Sequence, residues 1–172
     1  MAKKIKILFR TAGGATREIG TGHIFRCMNL ASQLKKYKIF FAVEDFGGIK
    51  KILLENGFKK NQFLKKNISL KEDIIKTTEV IKKFDIDIMI VDKINTRKEF
   101  LKKIKNEVFT VYISDLKKFN YPGNLLINGF VGLRNDEILN QYKCKCFLGP
   151  SYQILANSYM NKNKFKKKYD LL

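Results

Sequence analysis

The sequence is poor in residues that bind transition metals. Among 172 residues it has one histidine and three cysteines, Cys27, Cys144 and Cys146. A structural zinc site needs four such ligands, and an odd number of cysteines fits a reducing compartment better than a disulfide framework. We therefore predict no metal site and no metal cofactor. Cys144 and Cys146 form a C-x-C pair, which on a strand would point to one face and pack in the core.

Long apolar runs are also absent. The run Ile86–Val91 is among the longest, whereas a membrane-spanning helix needs about 20 apolar residues. The N-terminus begins Met-Ala-Lys-Lys and enters a strand-like run directly, without the apolar region and cleavage site of a signal peptide. The expectation is a cytoplasmic protein with no membrane span.

Acidic residues are scarce, because 16 Asp and Glu oppose 35 Lys and Arg, which gives a formal net charge of +19. Only five of the basic residues are arginine, the side chain that reads phosphates and bases in a bidentate manner. The lysines are spread over every segment, with one dense cluster at Lys162–Lys168. This pattern favours solvated lysine faces, and we predict no specific nucleic-acid partner.

The chain has enough apolar residues, 45% of the total, for the core of one domain. Apolar runs alternate with amphipathic segments, a pattern typical of βαβ units. The predicted fold class is α/β, a Rossmann-like parallel sheet flanked by helices. The predicted strands are Ile5–Phe9, Ile39–Val43, Ile86–Val91, Phe109–Ile113, Leu125–Ile127 and Cys146–Leu148, and the predicted helices are His23–Lys36, Gly48–Asn56, one capped by Ser69, Thr96–Lys105 and Pro150–Met160.

A glycine-rich segment, Thr11–Gly22, follows the first strand and leads into a helix N-terminus. Helix N-termini favour anions, and glycines let a backbone approach a ligand closely. The segment matches neither the dinucleotide fingerprint nor the P-loop. Ligands of such sheets bind beyond the carboxyl ends of the strands, where Asp45, Asp92 and Asp115 are also expected.

The residues of the following helix suggest a general base. His23 lies in its first turn, where the helix dipole disfavours an imidazolium and leaves a ring nitrogen able to accept a proton. Arg26, one turn later, could hold a phosphate or carboxylate. The alternatives are that His23 only caps the helix and that Arg26 forms a surface ion pair with Glu18 or Asp45.

A signature and five further motifs in order resemble one family. Residues 20–31 (GTGHIFRCMNLA) resemble the G-x-G-H-x-x-R-x-x-x-L-A signature of the family that contains the UDP-sugar hydrolase of pseudaminic acid synthesis and the spore-coat polysaccharide proteins. This family is similar in fold to the peptidoglycan GlcNAc transferase, of the glycosyltransferase-B type. The five further motifs are Ile5–Arg10, Met89–Asp92, Val111–Asp115, Leu125–Asn128 and Leu148–Leu155.

The resemblance implies an N-terminal, sugar-side domain of a UDP-2,4-diacetamido-2,4,6-trideoxy-altrose hydrolase in surface polysaccharide or nonulosonic acid synthesis. His23 would be the catalytic base that activates water at the anomeric carbon, with a UDP-sugar as substrate and no further cofactor. The implied substrate-binding residues are Gly20, Gly22, Arg26, Asp92, Asn128 and Tyr152. For Tyr152, packing on the sheet is an equal alternative.

The chain departs from the family pattern at three positions. The family often has Asp where this chain has Ala12, and usually has Tyr where it has Ile94. The family's pair of aspartates is reduced to Ser114-Asp115. The family's second, nucleotide-binding domain also implies that residues 1–160 form the N-terminal domain. Residues 161–172 would be a Lys-rich crossover into a separate C-terminal half. Two other functions stay open: the acceptor domain of a glycosyltransferase, and a non-catalytic interaction domain.

Overall fold

A computed structural model of the chain describes residues 3–16, 19–116, 123–131 and 144–160. Seven parallel strands form one sheet in the order β3-β2-β1-β4-β5-β6-β7. The chain runs outwards from β1 to β3 and then returns to build the other side from β4, which is the Rossmann-like arrangement that the alternating pattern predicts. The strands are β1 (Lys6–Gly13), β2 (Lys38–Asp45), β3 (Asn61–Leu64), β4 (Ile88–Asp92), β5 (Phe109–Ser114), β6 (Leu125–Asn128) and β7 (Lys145–Leu148).

Four α-helices connect the first five strands: α1 (Gly22–Gln33), α2 (Ile49–Glu55), α3 (Leu70–Phe84) and α4 (Lys98–Ile104). The predicted cap of α3 is confirmed, since Ser69 Oγ accepts a hydrogen bond of 3.2 Å from the Glu72 amide. Gly57 ends α2 with φ +82°, a left-handed conformation that glycine adopts without a steric penalty. No helix in the described ranges is long and apolar enough to cross a membrane.

Two sequence predictions about helices are wrong. Thr96 is not the cap of α4, because Arg97 occupies that position and the Thr96 hydroxyl donates instead to the Lys93 carbonyl at 2.7 Å. The predicted helix from Pro150 to Met160 is replaced by two 3₁₀ turns, Pro150–Tyr152 and Asn157–Met160. Gln153 is extended between them, and its side chain donates to the Gly129 carbonyl. The prediction also missed β3, a short strand with two polar residues.

Each face of the sheet has its own core. On one face α1 and α2 pack with Ile24, Cys27, Met28, Ala31, Ile49 and Leu53. On the other face α3 and α4 pack with Val80, Ile81, Phe100, Leu101 and Ile104. Cys144 and Cys146 lie at the edge of this second core, as the C-x-C pattern predicts. Strands covered on both faces bury nearly every residue, which explains their continuous apolar runs.

The first two glycines of the segment after β1 allow close packing. A Cβ on Gly13 would lie 2.5 Å from Ile24 Cγ1, and a Cβ on Gly14 would lie 2.6 Å from Phe46 Cβ. The end of β1 therefore lies directly against α1 and against the loop after β2. This close approach brings the N-terminus of α1 to the carboxyl edge of the sheet, between β1 and β4.

Candidate functional site

His23 lies at the carboxyl edge of the sheet, next to the end of β4. Its Nδ1 is 2.7 Å from Asp92 Oδ1, and the Asp92 side chain is almost fully buried while about a fifth of the His23 side chain is exposed. A carboxylate can only accept a hydrogen bond, so Nδ1 carries the proton when the ring is neutral. The lone pair is then on Nε2. This carboxylate–histidine pair is an arrangement that orients a proton acceptor.

Arg26 holds the same carboxylate from one turn further along α1. Its Nε donates to Asp92 Oδ2 at 2.6 Å and its Nη2 to Asp92 Oδ1 at 2.6 Å, which is a bidentate pair. Nη2 is also 3.1 Å from His23 Nδ1, but the shorter bonds go to the carboxylate. A longer contact of 3.3 Å joins Nη1 to the exposed Asp115. We call His23, Arg26, Asp92 and Asp115 the histidine cluster.

The environment of this cluster keeps each neighbouring group in one protonation state. Burial opposes the charge of Arg26, but the hydrogen bonds and charges of Asp92 and Asp115 outweigh it and raise the pKa of Arg26. Burial, followed by the charge of Asp92, raises the pKa of the Cys27 thiol well above its usual value, so Cys27 is not a nucleophile here. Burial also raises the pKa of Tyr112 to about 12, which keeps the phenol protonated.

A pocket of about 450 Å³ opens over the histidine cluster. Its wall includes Tyr112 and the loop from Lys93 to Thr96. Ile94, the position where the family pattern has tyrosine, is about half exposed in this loop. A smaller cavity of about 190 Å³ adjoins it and shares Arg26 and Asp115 with it. The exposed side of His23 therefore faces a space large enough for part of a small ligand.

The remaining predicted site residues differ in their positions. Tyr152 lines the smaller cavity beside Arg26 and packs on Phe147 in a tilted arrangement, with 5.2 Å between ring centroids. Asn128 is buried at the end of β6 and lines none of the cavities described here. Its amide donates to the Leu116 carbonyl at 2.9 Å and its Oδ1 accepts from the Phe130 amide at 2.9 Å. Asn128 thus fixes two loops of the site from below.

Gly20 and Gly22 lie exposed beside the first turn of α1. Neither has a positive φ, and a Cβ on either would meet nothing within 4 Å. Packing in the described residues therefore does not require glycine here, unlike at Gly13. The glycines leave open space around the helix N-terminus. Arg17 and Glu18, between the two glycine pairs, lie outside the described residues.

Asp45 does not join the histidine cluster. It accepts a hydrogen bond of 2.8 Å from the Gly47 amide and so closes its own turn. Arg26 pairs with Asp92 and Asp115 and not with Asp45. Glu18, the other partner suggested by the sequence, lies outside the described residues. Residues 161–172, the predicted crossover, lie outside the described residues. In the described ranges no group of three His, Cys, Asp or Glu side chains is placed to hold a metal ion.

A second charged cluster, which the sequence did not predict, lies on the opposite face of the sheet. The fully buried Arg10 donates to Asp73 Oδ1 through Nε at 3.0 Å and Nη2 at 2.8 Å, and reaches Glu44 Oε2 at 3.4 Å. Lys93 Nζ contacts Glu44 Oε2 at 2.5 Å and Asp73 Oδ2 at 3.0 Å. We call Arg10, Glu44, Asp73 and Lys93 the lysine cluster. The adjacent residues Asp92 and Lys93 therefore belong to different clusters, Asp92 to the histidine cluster and Lys93 to the lysine cluster.

No family model matches the chain. The chain is 31% identical over 169 residues to the uncharacterized protein MJ1062 of Methanocaldococcus jannaschii. The matched region covers 93% of this chain and 33% of the archaeal protein. The chain therefore spans about a third of the length of that relative. A solved structure of UDP-N-acetylglucosamine 2-epimerase is similar over 85% of this chain and 48% of the epimerase chain, with a TM-score of 0.56 and 18% identity. At this identity the similarity establishes the fold: a Rossmann-like parallel sheet of the glycosyltransferase-B type.

Proposed function

We propose that the chain carries the catalytic base of a UDP-sugar hydrolase, and that this base is His23. The observation that supports the proposal most directly is the 2.7 Å bond between His23 Nδ1 and the buried Asp92. The fold shared with a UDP-sugar epimerase supports the substrate class.

In the proposed reaction, Nε2 of His23 accepts a proton from water. The water oxygen forms a bond to the anomeric carbon of the sugar, the bond from that carbon to the phosphate oxygen breaks, and UDP leaves with the electron pair. Asp92 stabilises the imidazolium that forms, because it is a carboxylate at hydrogen-bond distance from Nδ1. The proton then passes to solvent.

The other residues act on position and charge. Asp92 is buried, with hydrogen bonds to His23 and Arg26, so we assign it the role of positioning residue. Arg26 donates two hydrogen bonds to Asp92 and holds the carboxylate in place. Tyr152 and the open backbone at Gly20 and Gly22 border the sugar, and Asn128 supports the loops beneath it.

The resemblance of residues 20–31 to the family signature allows a more specific proposal for the substrate. On this basis the sugar is a 2,4-diacetamido-2,4,6-trideoxy-altrose or a related acetamido sugar of surface polysaccharide or nonulosonic acid synthesis. Ile94 in place of tyrosine gives the pocket wall an apolar side chain that cannot hydrogen-bond the sugar. We therefore expect the sugar preference of this protein to differ from that of the family's hydrolase.

We further propose that a second unit, in the same protein or a separate chain, binds the nucleotide. The histidine cluster pocket of about 450 Å³ is suited to a sugar more than to a complete UDP-sugar. In support, this chain is similar to 48% of the epimerase chain. Calorimetry with UDP near physiological salt tests this part: weak or absent binding by residues 1–172 is expected, and tight one-to-one binding would place the nucleotide on this chain.

Turnover of UDP-sugars by the protein, with any partner that supplies the second unit, tests the catalytic proposal. The change His23→Ala should lower the rate by about 10²–10⁴, the usual effect of losing a general base, and should leave folding intact. Lys35→Ala, an exposed change just beyond α1, is the control and should keep the wild-type rate. Release of free sugar without an acceptor supports a hydrolase. A requirement for an acceptor sugar would instead indicate a glycosyltransferase. An unchanged rate in His23→Ala would show that His23 is not the catalytic base; a helix cap is not its role either, because Thr21 occupies the N-cap of α1.

A further inference from the structure

A separate cavity of about 260 Å³ lies over the lysine cluster. The loops that follow β1, β2, β3 and β4 form its walls. Lys93, Ile94, Asn95 and Thr96 line both this cavity and the histidine cluster pocket, so one short loop separates the two spaces. The cavity is slightly smaller than sites for drug-sized ligands, which begin at about 300 Å³. Its size therefore suits a single small ring.

The charges beneath the cavity cancel. Arg10 and Lys93 are cations, and Glu44 and Asp73 are carboxylates. Each cation lies within ion-pair distance of both carboxylates. A charged ligand would thus meet no uncompensated charge in the floor of the cavity. The further cation in the lining, Arg97, is exposed to solvent, which screens its charge. A neutral ligand with polar groups would be accommodated without disturbing the ion pairs.

The cluster still has hydrogen-bonding capacity on the cavity side. In the described part of the chain, Glu44 uses only Oε2 for its contacts to Arg10 and Lys93, while its side chain is more than nine-tenths buried and lines the cavity. An ammonium has three donors, and Lys93 uses two of them for Glu44 and Asp73. One acceptor, Glu44 Oε1, and one donor, on Lys93, therefore remain for a ligand.

Two asparagines add amide groups at the rim. Asn67 and Asn95 line the cavity and both have left-handed backbones, with φ of +56° and +55°. Phe46 and Phe100 supply apolar surface in the same cavity. Donors and acceptors close to aromatic surface match a pyranose ring, since its hydroxyls both donate and accept while its C–H face is apolar.

We propose that this cavity is a binding site for a neutral monosaccharide, separate from the histidine cluster pocket. One hydroxyl of the sugar donates to Glu44 Oε1 and accepts from Lys93, and the amide of Asn67 contacts a second hydroxyl. The proposal goes beyond the UDP-sugar hydrolase function and needs neither a nucleotide nor turnover.

Titration followed by ¹⁵N NMR tests it, with free N-acetylglucosamine and glucose as neutral probes and acetate and inorganic phosphate as anionic probes. We expect at least one sugar to shift the backbone amides of residues 44–46, 67–70 and 93–97 in a saturable way, and the anions to leave them unchanged. Saturable shifts with the anions alone would overturn the neutral-ligand assignment. If none of the probes shifted these amides, or if the sugars shifted only residues around His23, the proposed site would be overturned.

Two variants of different kinds keep the test independent of folding. Asn67→Gly removes the amide while retaining a residue suited to φ +56°, and should weaken sugar binding about 3- to 10-fold, the usual effect of one hydrogen bond. Ile68→Trp places a large side chain at the half-buried lining position and should abolish the shifts. Lys66→Ala, next to Asn67 but outside the lining, is the control. Wild-type affinity in both variants would disprove the site.

Discussion

The histidine cluster and the lysine cluster lie on opposite faces of one sheet edge and differ in charge balance and exposure. In the lysine cluster two cations meet two carboxylates, and Arg10 is fully buried. In the histidine cluster Arg26 faces both Asp92 and Asp115, so negative charge is in excess when the imidazole is neutral. About a fifth of the His23 and Arg26 side chains is exposed to the pocket.

This difference fits a stabilising role for the lysine cluster and the proposed chemical role of the histidine cluster. The balanced, buried lysine cluster joins the middle of β1 and the ends of β2 and β4 to α3, and each of its charges is compensated by the others. The histidine cluster fixes only one side of the imidazole and leaves the other side at a cavity. An excess of negative charge next to that ring also suits a group that becomes positive during a reaction.

The largest effect on stability is expected from breaking the lysine cluster. Asp73→Ala removes the carboxylate that Arg10, Thr77 and Lys93 share. It leaves the buried Arg10 with one ion pair among the described residues, the 3.4 Å contact to Glu44, beside its hydrogen bond to the Thr11 carbonyl. Removing one member of a buried ion pair typically costs about 3–5 kcal/mol, and urea unfolding should show a loss of this size. Glu79→Ala, on the exposed side of α3, should change the free energy of unfolding by less than about 0.5 kcal/mol. Similar values for the two variants would contradict the comparison.

An intermediate effect is expected within the histidine cluster. Asp92→Asn keeps the shape of the side chain but removes the charge that Arg26 and His23 share. Hydrogen bonds to charged groups contribute about 1.5–3 kcal/mol, and we expect a loss of unfolding free energy in that range. Asp115→Asn, at the exposed end of the same arginine, should have almost no effect, because 62% of the Asp115 side chain is exposed. Equal losses would mean that both carboxylates hold Arg26 equally.

A smaller effect is expected from the glycines that lead to the histidine cluster. Gly13→Ala forces Ile24 to move, since the new Cβ would lie 2.5 Å from Ile24 Cγ1, and overpacking of this kind costs about 1–3 kcal/mol. Gly20→Ala meets no atom within 4 Å and should leave the melting temperature unchanged. If Gly20→Ala were the more destabilising, the separation between packing glycines and open glycines would be wrong.

Much of the histidine cluster could be predicted from the sequence. The strand ending at Asp92 and the helix beginning near His23 are defined by strong apolar patterns, and parallel strands bring their carboxyl ends to one edge. The i, i+3 spacing of His23 and Arg26 places both on one side of α1. The sequence did not indicate that both would share Asp92, because this depends on the packing of Gly13 against Ile24.

The lysine cluster could not be predicted in the same way. Arg10 lies in the middle of an apolar strand, and its partners Glu44 and Asp73 come from another strand and a helix, 34 and 63 residues away. No short-range pattern links such residues. The 3₁₀ turns after Pro150 were missed for a related reason: the Gln153 side chain bonds to Gly129, a contact across 24 residues.

The tautomer of the His23 ring decides whether this residue can accept a proton from the pocket. NMR can determine it cleanly, because the chain has a single histidine and its ring signals need no assignment among several. Long-range ¹H–¹⁵N spectra, recorded at a pH where the ring is neutral, distinguish the two tautomers. The geometry predicts a proton on Nδ1 and an unprotonated Nε2 in the wild type, with loss of this preference in Asp92→Asn. A wild-type ring protonated on Nε2 would contradict the account, since His23 could not then accept a proton from the pocket.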